Sequence, residues 1–197
     1  MRSASGARTI RDVEAAPGEI GQIGGCGASL MLGYFDDQAA TEAAFNAQGW
    51  FKTGDLGWMD DAGYLRITAR LKDVIIRGGR NIYPARIEAL AMGHDAVEKA
   101  AAFALADPRL GERVCLAVVA RKDVRAEPEA ILRHLDLAGL PRYDMPEFVL
   151  PLEEMPLTAS GKIMKRELAR WVKEGRIRPL PVRLRSPAHA GGPSVDG

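Results

Sequence analysis

Between Leu71 and about Leu180, short β-prone runs alternate with capped helical segments, and this alternation limits the possible fold more than any other feature. Val74-Ile75-Ile76 is a β-branched run halted by Gly78-Gly79, a tight-turn signal. Pro84 can open a helix over Ala85–Met92, with Gly93 ending it. Strands are expected at Val97–Leu105 and Arg113–Ala120. In Glu127–Ala138, Pro128 sits in the first turn, Ile131, Leu132 and Leu135 line one face, and Gly139 stops the helix. Phe148–Leu152 reads as a strand, and Lys165–Glu174 as a last helix with Leu168 and Trp171 on its buried side. Strands separated by helices give an α/β or α+β domain around a small central sheet.

The preceding zone, from about Ile10 to Arg70, is rich in glycine and turns. Gly18 to Gly24 reads as a short extended piece interrupted by glycines. Its Gly-x-x-Gly-x-x-Gly spacing is no dinucleotide site, because no strand-to-helix pattern follows. A short helix is expected at Asp37–Asn46, capped by Asp36 or Asp37. Asp55–Met59 and Tyr64–Thr68 read as strands of a hairpin joined by Asp60-Asp61-Ala62-Gly63. From about Arg183 the chain turns to Ser, Pro, Ala and Gly, cannot bury a core, and is expected to be disordered to residue 197.

Composition removes several function classes. A formal net charge of +1 gives no reason to expect nucleic acid or an anionic membrane as the main partner. Cys26 and Cys115 stand far apart without a partner motif, which argues against a disulfide scaffold or a zinc site and fits a cytoplasmic setting. Apolar runs such as Ala100–Ala106 and Val114–Ala120 are of strand length, so no membrane span is expected.

Chemistry concentrates in Pro156-Leu157-Thr158-Ala159-Ser160-Gly161-Lys162-Ile163. Ser160 and Gly161 let backbone pass close to a ligand. Lys162 would project from the turn as a point charge able to reach a phosphate or carboxylate oxygen. It is not a nucleotide P-loop, since Ile163 follows the lysine.

Four segments, in this order, carry a resemblance: Gly18-Glu19-Ile20 with Met31-Leu32-Gly33-Tyr34; Gly49-Trp50-Phe51-Lys52-Thr53-Gly54-Asp55; Arg70-Leu71-Lys72-Asp73-Val74-Ile75 with Gly78-Gly79-Arg80-Asn81-Ile82-Tyr83-Pro84; and Pro156 to Lys162. Together they resemble the C-terminal third of the adenylate-forming enzymes, from about Pro17 to Trp171. This superfamily holds acyl- and aryl-CoA synthetases, carrier-protein adenylation domains and firefly luciferase. The resemblance implies an α+β fold: a small glycine-rich β-subdomain over residues 1–70 that ends the large AMP-binding domain, then an α+β lid domain over residues 71–182. It implies ATP-dependent formation of acyl-AMP from a carboxylic acid, followed by displacement of AMP by the CoA thiol. Met31 to Tyr34 and Gly79 to Pro84 look more like acyl-CoA synthetases than adenylation domains.

By the same resemblance, Asp55 takes both ribose hydroxyls of ATP and Arg70 contacts the ribose region. Lys72 falls on the hinge between large domain and lid, Gly78 and Gly79 line the pantetheine channel of CoA, and Lys162 bridges the substrate carboxylate and the ATP phosphates during adenylation. Asn81 and Tyr83-Pro84 are packing and helix-start residues. Mg²⁺ is expected with ATP, its ligands lying outside this chain. The family's phosphate loop, adenine segment and acyl pocket would precede Pro17. The chain is therefore expected not to adenylate by itself, as the C-terminal half of a split ligase working with a separate N-terminal chain, as a wrongly started ligase, or as a non-catalytic remnant or binding module. One position departs from the pattern: Arg86 stands where the family usually has glutamate.

Overall fold

The structure is a computed structural model that describes residues 2–7 and 13–184. The chain divides into two compact units, residues 1–75 with 81–86, and residues 76–80 with 87–197.

The first unit is built on a five-stranded sheet in the order β2-β1-β3-β4-β5. Its strands are β1 (Arg2–Ala7), β2 (Val13–Glu14), β3 (Gly21–Cys26), β4 (Phe51–Met59) and β5 (Leu65–Arg70), all paired antiparallel. The expected hairpin is present, with β4 beginning earlier than its β-branched content suggested. Asp60 closes the turn by accepting the Ala62 and Tyr64 N–H groups on Oδ1. The glycine-rich extended piece overlaps β3, whose Ile23 is buried, as are Leu56 and Ala69 of β4 and β5. Helix α1 (Gln38–Ala44) is capped by Asp37, whose Oδ1 accepts the Ala40 N–H at 2.8 Å. It buries no residue, so the cap rather than a core contact marks its start.

The second unit forms around a six-stranded sheet in the order β11-β10-β9-β6-β7, with β8 paired to the other side of β9. The strands are β6 (Ile75–Arg77), β7 (Arg80–Ile82), β8 (Val97–Asp107), β9 (Gly111–Ala120), β10 (Phe148–Leu152) and β11 (Leu180–Pro181). Pairs β8/β9 and β10/β11 are antiparallel, while β9/β10 is parallel. Three helices accompany the sheet: α2 (Pro84–Met92), α3 (Pro128–Leu137) and α4 (Lys165–Lys173). Each matches its expected segment to within a residue or so at either end. Gly139, at φ +79°, turns the chain after α3 as expected of a helix-stop glycine.

Burial explains the strand sequences. In β8 and β9, consecutive residues from Ala100 to Phe103 and from Val114 to Val119 are all concealed, so both faces of this sheet are covered and the strands read as unbroken apolar runs. One core cluster joins Ala101, Phe103, Cys115, Ala117 and Val119 to Leu150, Met155 and Leu168, with Ile163, Trp171 and Val172 packed against it. Thus α4 and the residues just before it are moored to the sheet through Leu168, which is fully buried. Ile87 and Ala91 of α2 and Ile131, Leu132 and Leu135 of α3 supply further concealed apolar surface. Burying a side chain of leucine size contributes about 1.5–3 kcal/mol.

Leu180–Pro181 pairs with Phe148 and Val149, and the Val182 N–H donates to Glu147 O at 2.9 Å, at the end of the segment expected as the lid domain. Residues 185–197, which make up nearly all of the tail expected to be disordered, lie outside the described residues. Among the described residues no helix is long and apolar enough to cross a membrane.

Candidate functional site

In the first unit, Asp55 and Arg70 are cross-strand partners on β4 and β5. Arg70 Nε lies 2.9 Å from Asp55 Oδ1. Gly54 precedes Asp55 at φ +78°, a conformation that favours glycine. Thr53 Oγ1 donates to Ile23 O at 2.9 Å and accepts the Asp55 N–H at 3.0 Å. The Thr-Gly-Asp sequence is therefore a local device that ties the backbone bearing Asp55 to the neighbouring strand. Directly after Arg70 the chain enters a 3₁₀ turn over Leu71–Asp73, flanked by extended Arg70 and Val74, with Lys72 exposed on it.

In the second unit, Gly78 and Gly79 connect β6 to β7 at φ +55° and +82°. Two consecutive left-handed residues make the tight hairpin turn whose twist suits paired strands. The Gly78 N–H donates to Leu110 O at 2.8 Å, tying the hairpin to the β8–β9 turn. A Cβ on Gly78 would lie 2.7 Å from Tyr143 Oη, whereas one on Gly79 would meet nothing within 4 Å. Tyr143 is held by reciprocal bonds: its Oη donates to Arg77 O at 2.9 Å, and Arg77 Nη1 donates to Tyr143 O at 2.7 Å. The guanidinium carbons of Arg77 and Arg80 lie 4.9 and 5.0 Å from its ring centroid.

Beside this hairpin is a cavity of about 550 Å³ with Arg77, Arg109, Arg113, Arg142 and Arg183 in its wall. Glu147 answers part of that charge, lying 3.1 Å from Arg77 Nη2. Arg113 Nε is 2.5 Å from Asp107 Oδ2. The Leu110 N–H, with those of Arg109 and the Arg113 guanidinium, holds the Asp107 carboxyl below the usual carboxylate range against the opposing effect of desolvation. Five arginines in one wall, partly offset by Glu147 and Asp107, give the cavity a cationic lining. The sequence reading missed this cluster, because residues from five separate loops and strands meet there.

Lys162 stands on a second, separate loop. Leu157 and Ile163 form a bridge, the Met164 N–H donates to Pro156 O at 2.8 Å, and the Thr158 N–H donates to Lys162 O at 2.8 Å. Thr158 Oγ1 accepts the Lys162 N–H at 3.0 Å, and Gly161 supplies φ +79°. The loop expected to be small and flexible is thus a closed hairpin with its own hydrogen bonds. Lys162 is exposed and makes no ion pair among the described residues. Among the described residues no hydrogen bond or ion pair joins it to the Gly78-Gly79 hairpin, so the second unit presents two separate glycine-bearing loops. Just beyond, Lys165 Nζ lies 2.6 Å from Glu88 Oε1, a pair that sequence reasoning also missed. Arg86, the departure from the pattern, is exposed on the first turn of α2.

The AMP-binding enzyme C-terminal domain family matches residues 86–162. The chain is 37% identical over 150 residues to a medium-chain fatty-acid–CoA ligase of Escherichia coli, covering 76% of this chain and 26% of that protein. It is 38% identical over 159 residues to a sulfoacetate–CoA ligase of Cupriavidus necator, covering 80% and 31%. Among solved structures, ATP-bound MatB of Rhodopseudomonas palustris superposes with a TM-score of 0.80 at 30% identity, over 88% of this chain and 34% of that one. The o-succinylbenzoate CoA synthetase of Bacillus subtilis, in complex with its acyl-adenylate intermediate, gives 0.77 at 31% identity, over 84% and 33%. The chain therefore spans about a quarter to a third of the length of these relatives. By sequence and by fold it belongs with the C-terminal portion of the adenylate-forming acyl-CoA ligases, residues 86–162 being their AMP-binding enzyme C-terminal domain.

Proposed function

We propose that this chain supplies the ribose clasp, hinge and lid of an ATP-dependent acyl-CoA synthetase, with a large domain on this polypeptide or another holding the acyl pocket. The observation that carries this reading is Lys162: an exposed lysine with no ion pair among the described residues, on a hydrogen-bonded hairpin, within a domain matched to this family. In the first half-reaction a carboxylate oxygen attacks the α-phosphorus of ATP, forming acyl-AMP and releasing pyrophosphate. Negative charge on the transferring oxygens is then stabilised by the Lys162 ammonium, held at one place by its hairpin. Asp55, fixed through Thr53 and paired with Arg70, offers carboxylate oxygens to the ribose hydroxyls.

In the second half-reaction the CoA sulfur attacks the acyl carbon and AMP leaves, giving the thioester. Gly78-Gly79 would line the pantetheine path, since the open space beside Gly79 admits a thin ligand. The arginine-walled cavity next to it suits the phosphates of CoA. Lys72, on its 3₁₀ turn between β5 and β6, absorbs the rotation that exchanges the two loops. Among the described residues no three His, Cys, Asp or Glu side chains gather as metal ligands.

The test is product identity. Given ATP, CoA, a panel of carboxylic acids and the large domain, turnover should yield AMP, pyrophosphate and a thioester. ADP and inorganic phosphate as products, or no acid-dependent turnover with any large-domain partner, would contradict the proposal.

A further inference from the structure

The first turn of α4 opens with two cations, Lys165 and Arg166, where the positive end of the helix dipole disfavours them. Lys165 is nonetheless half-buried and paired. Its Nζ lies 2.6 Å from Glu88 Oε1, with both side chains about four-fifths concealed (22% and 18% exposed). The same Glu88 oxygen accepts the Ala102 N–H at 2.8 Å. Strand β8 has a strand partner only in β9 among the described residues, so Glu88 satisfies an edge amide of β8 while gripping the first residue of α4. A sequence position that breaks a local electrostatic rule, and is compensated by a specific long-range partner, marks a functional constraint.

The hairpin carrying Lys162 ends one residue before Lys165, its last bond being Met164 N–H to Pro156 O. Hydrophobic anchors hold this region on the sheet at Met155 and Leu168. Apolar packing is non-directional, whereas a short, half-buried ion pair fixes direction. We propose that Glu88 and Lys165 are positioning residues for Lys162: their ion pair fixes the base of its hairpin and so the direction in which its ammonium projects. The inference rests on the reading of Lys162 as the adenylation lysine, but its first test does not.

That test is NMR hydrogen exchange in the 197-residue chain at the Thr158, Lys162 and Met164 amides, with buried β9 amides such as Val118 as internal reference. Lys165→Gln should speed exchange at the three hairpin amides about 10-fold, the scale of losing one charge-assisted hydrogen bond, and leave Val118 unchanged. Lys165→Arg, which keeps the charge and reach, should restore protection. Glu88→Gln, which still accepts from the Ala102 N–H, should act like Lys165→Gln. Hairpin exchange within about twofold of the parent in both variants, or equal acceleration at Val118 in both, would overturn the proposal. With the large domain present, Lys165→Gln should lower kcat for acyl-AMP formation about 10-fold at unchanged KM, with Lys165→Arg rescuing it. If Lys162→Ala leaves adenylation intact, the functional reading fails while the exchange result still decides the positioning. If Lys162→Ala slows adenylation and Lys165→Gln alters neither rate nor exchange, the positioning fails alone.

Discussion

Asp55 and Arg70 face each other across β4 and β5, with Arg70 Nε 2.9 Å from Asp55 Oδ1. The pair is built by register, and Thr53 pins the same stretch to β3. Arg70 is 53% exposed, so water competes for the contact and its worth to folding is small. Arg70→Ala should cost less than about 1 kcal/mol by urea denaturation. In the assembled enzyme it should weaken ATP binding far more than that loss explains. A large drop in stability with unchanged nucleotide affinity would mark the pair as purely structural.

The two turn glycines should respond unequally to alanine. Gly79→Ala faces only its positive φ, a cost of about 1 kcal/mol. Gly78→Ala adds a Cβ 2.7 Å from Tyr143 Oη, a group restrained by Arg77 O and two guanidinium groups. It should lose about 2–3 kcal/mol. In a Tyr143→Phe background the gap between the two alanines should narrow; equal costs in both backgrounds would refute the steric account.

How much of this was legible in the sequence divides by range. Helix ends were readable because Asp37, Pro128 and Gly139 act on their own neighbours. β8 and β9 were readable because burial on both faces demands continuous apolar runs. β1 was missed because Arg2-Ser-Ala-Ser-Gly-Ala7 contains no β-branched or aromatic residue, and its strand character comes from pairing with β3. The Lys162 turn was visible because Pro156 to Gly161 is local chemistry. The Arg77–Tyr143 knot and the Glu88–Lys165 pair were invisible, since each joins residues far apart in the chain.

Acid should weaken the β8–β9 turn. The Asp107 carboxyl is held below its ordinary value mainly by the Leu110 N–H. A depressed folded-state pKa contributes stability above the unfolded-state value of about 3.9, and that contribution is lost as pH falls through the folded value. Urea midpoints should therefore decline more steeply below about pH 4 in the parent than in Asp107→Asn. Parallel pH profiles would contradict this.

The two thiols should differ in reactivity. Cys115 is fully buried, and desolvation pushes its thiol up, so thiolate is scarce. Cys26 is only half-buried on β3. Iodoacetamide followed by peptide mass spectrometry should label Cys26 in the folded chain and Cys115 only after unfolding. Labelling of Cys115 at an equal rate would show that the core opens readily.

The exposed residues Leu32 and Phe35, together with half-buried Trp50 and Phe51, leave apolar surface in the first unit. The chain by itself should self-associate or bind a hydrophobic dye, and Leu32→Ser with Phe35→Ser should reduce both. A monodisperse parent chain that binds no dye at high concentration would count against an unmet partner surface.

The most direct measurement separates the half-reactions in the assembled enzyme. Pyrophosphate exchange reports acyl-AMP formation, and thioester release from preformed acyl-AMP reports the CoA step. Lys162→Ala should slow the first about 10²–10³-fold and leave the second nearly intact. A bulky residue at Gly79 should do the reverse, and Lys72→Pro should hinder passage between the two. If Lys162→Ala and the Gly79 replacement slow both steps equally, the two loops do not serve separate chemistry and the account is wrong.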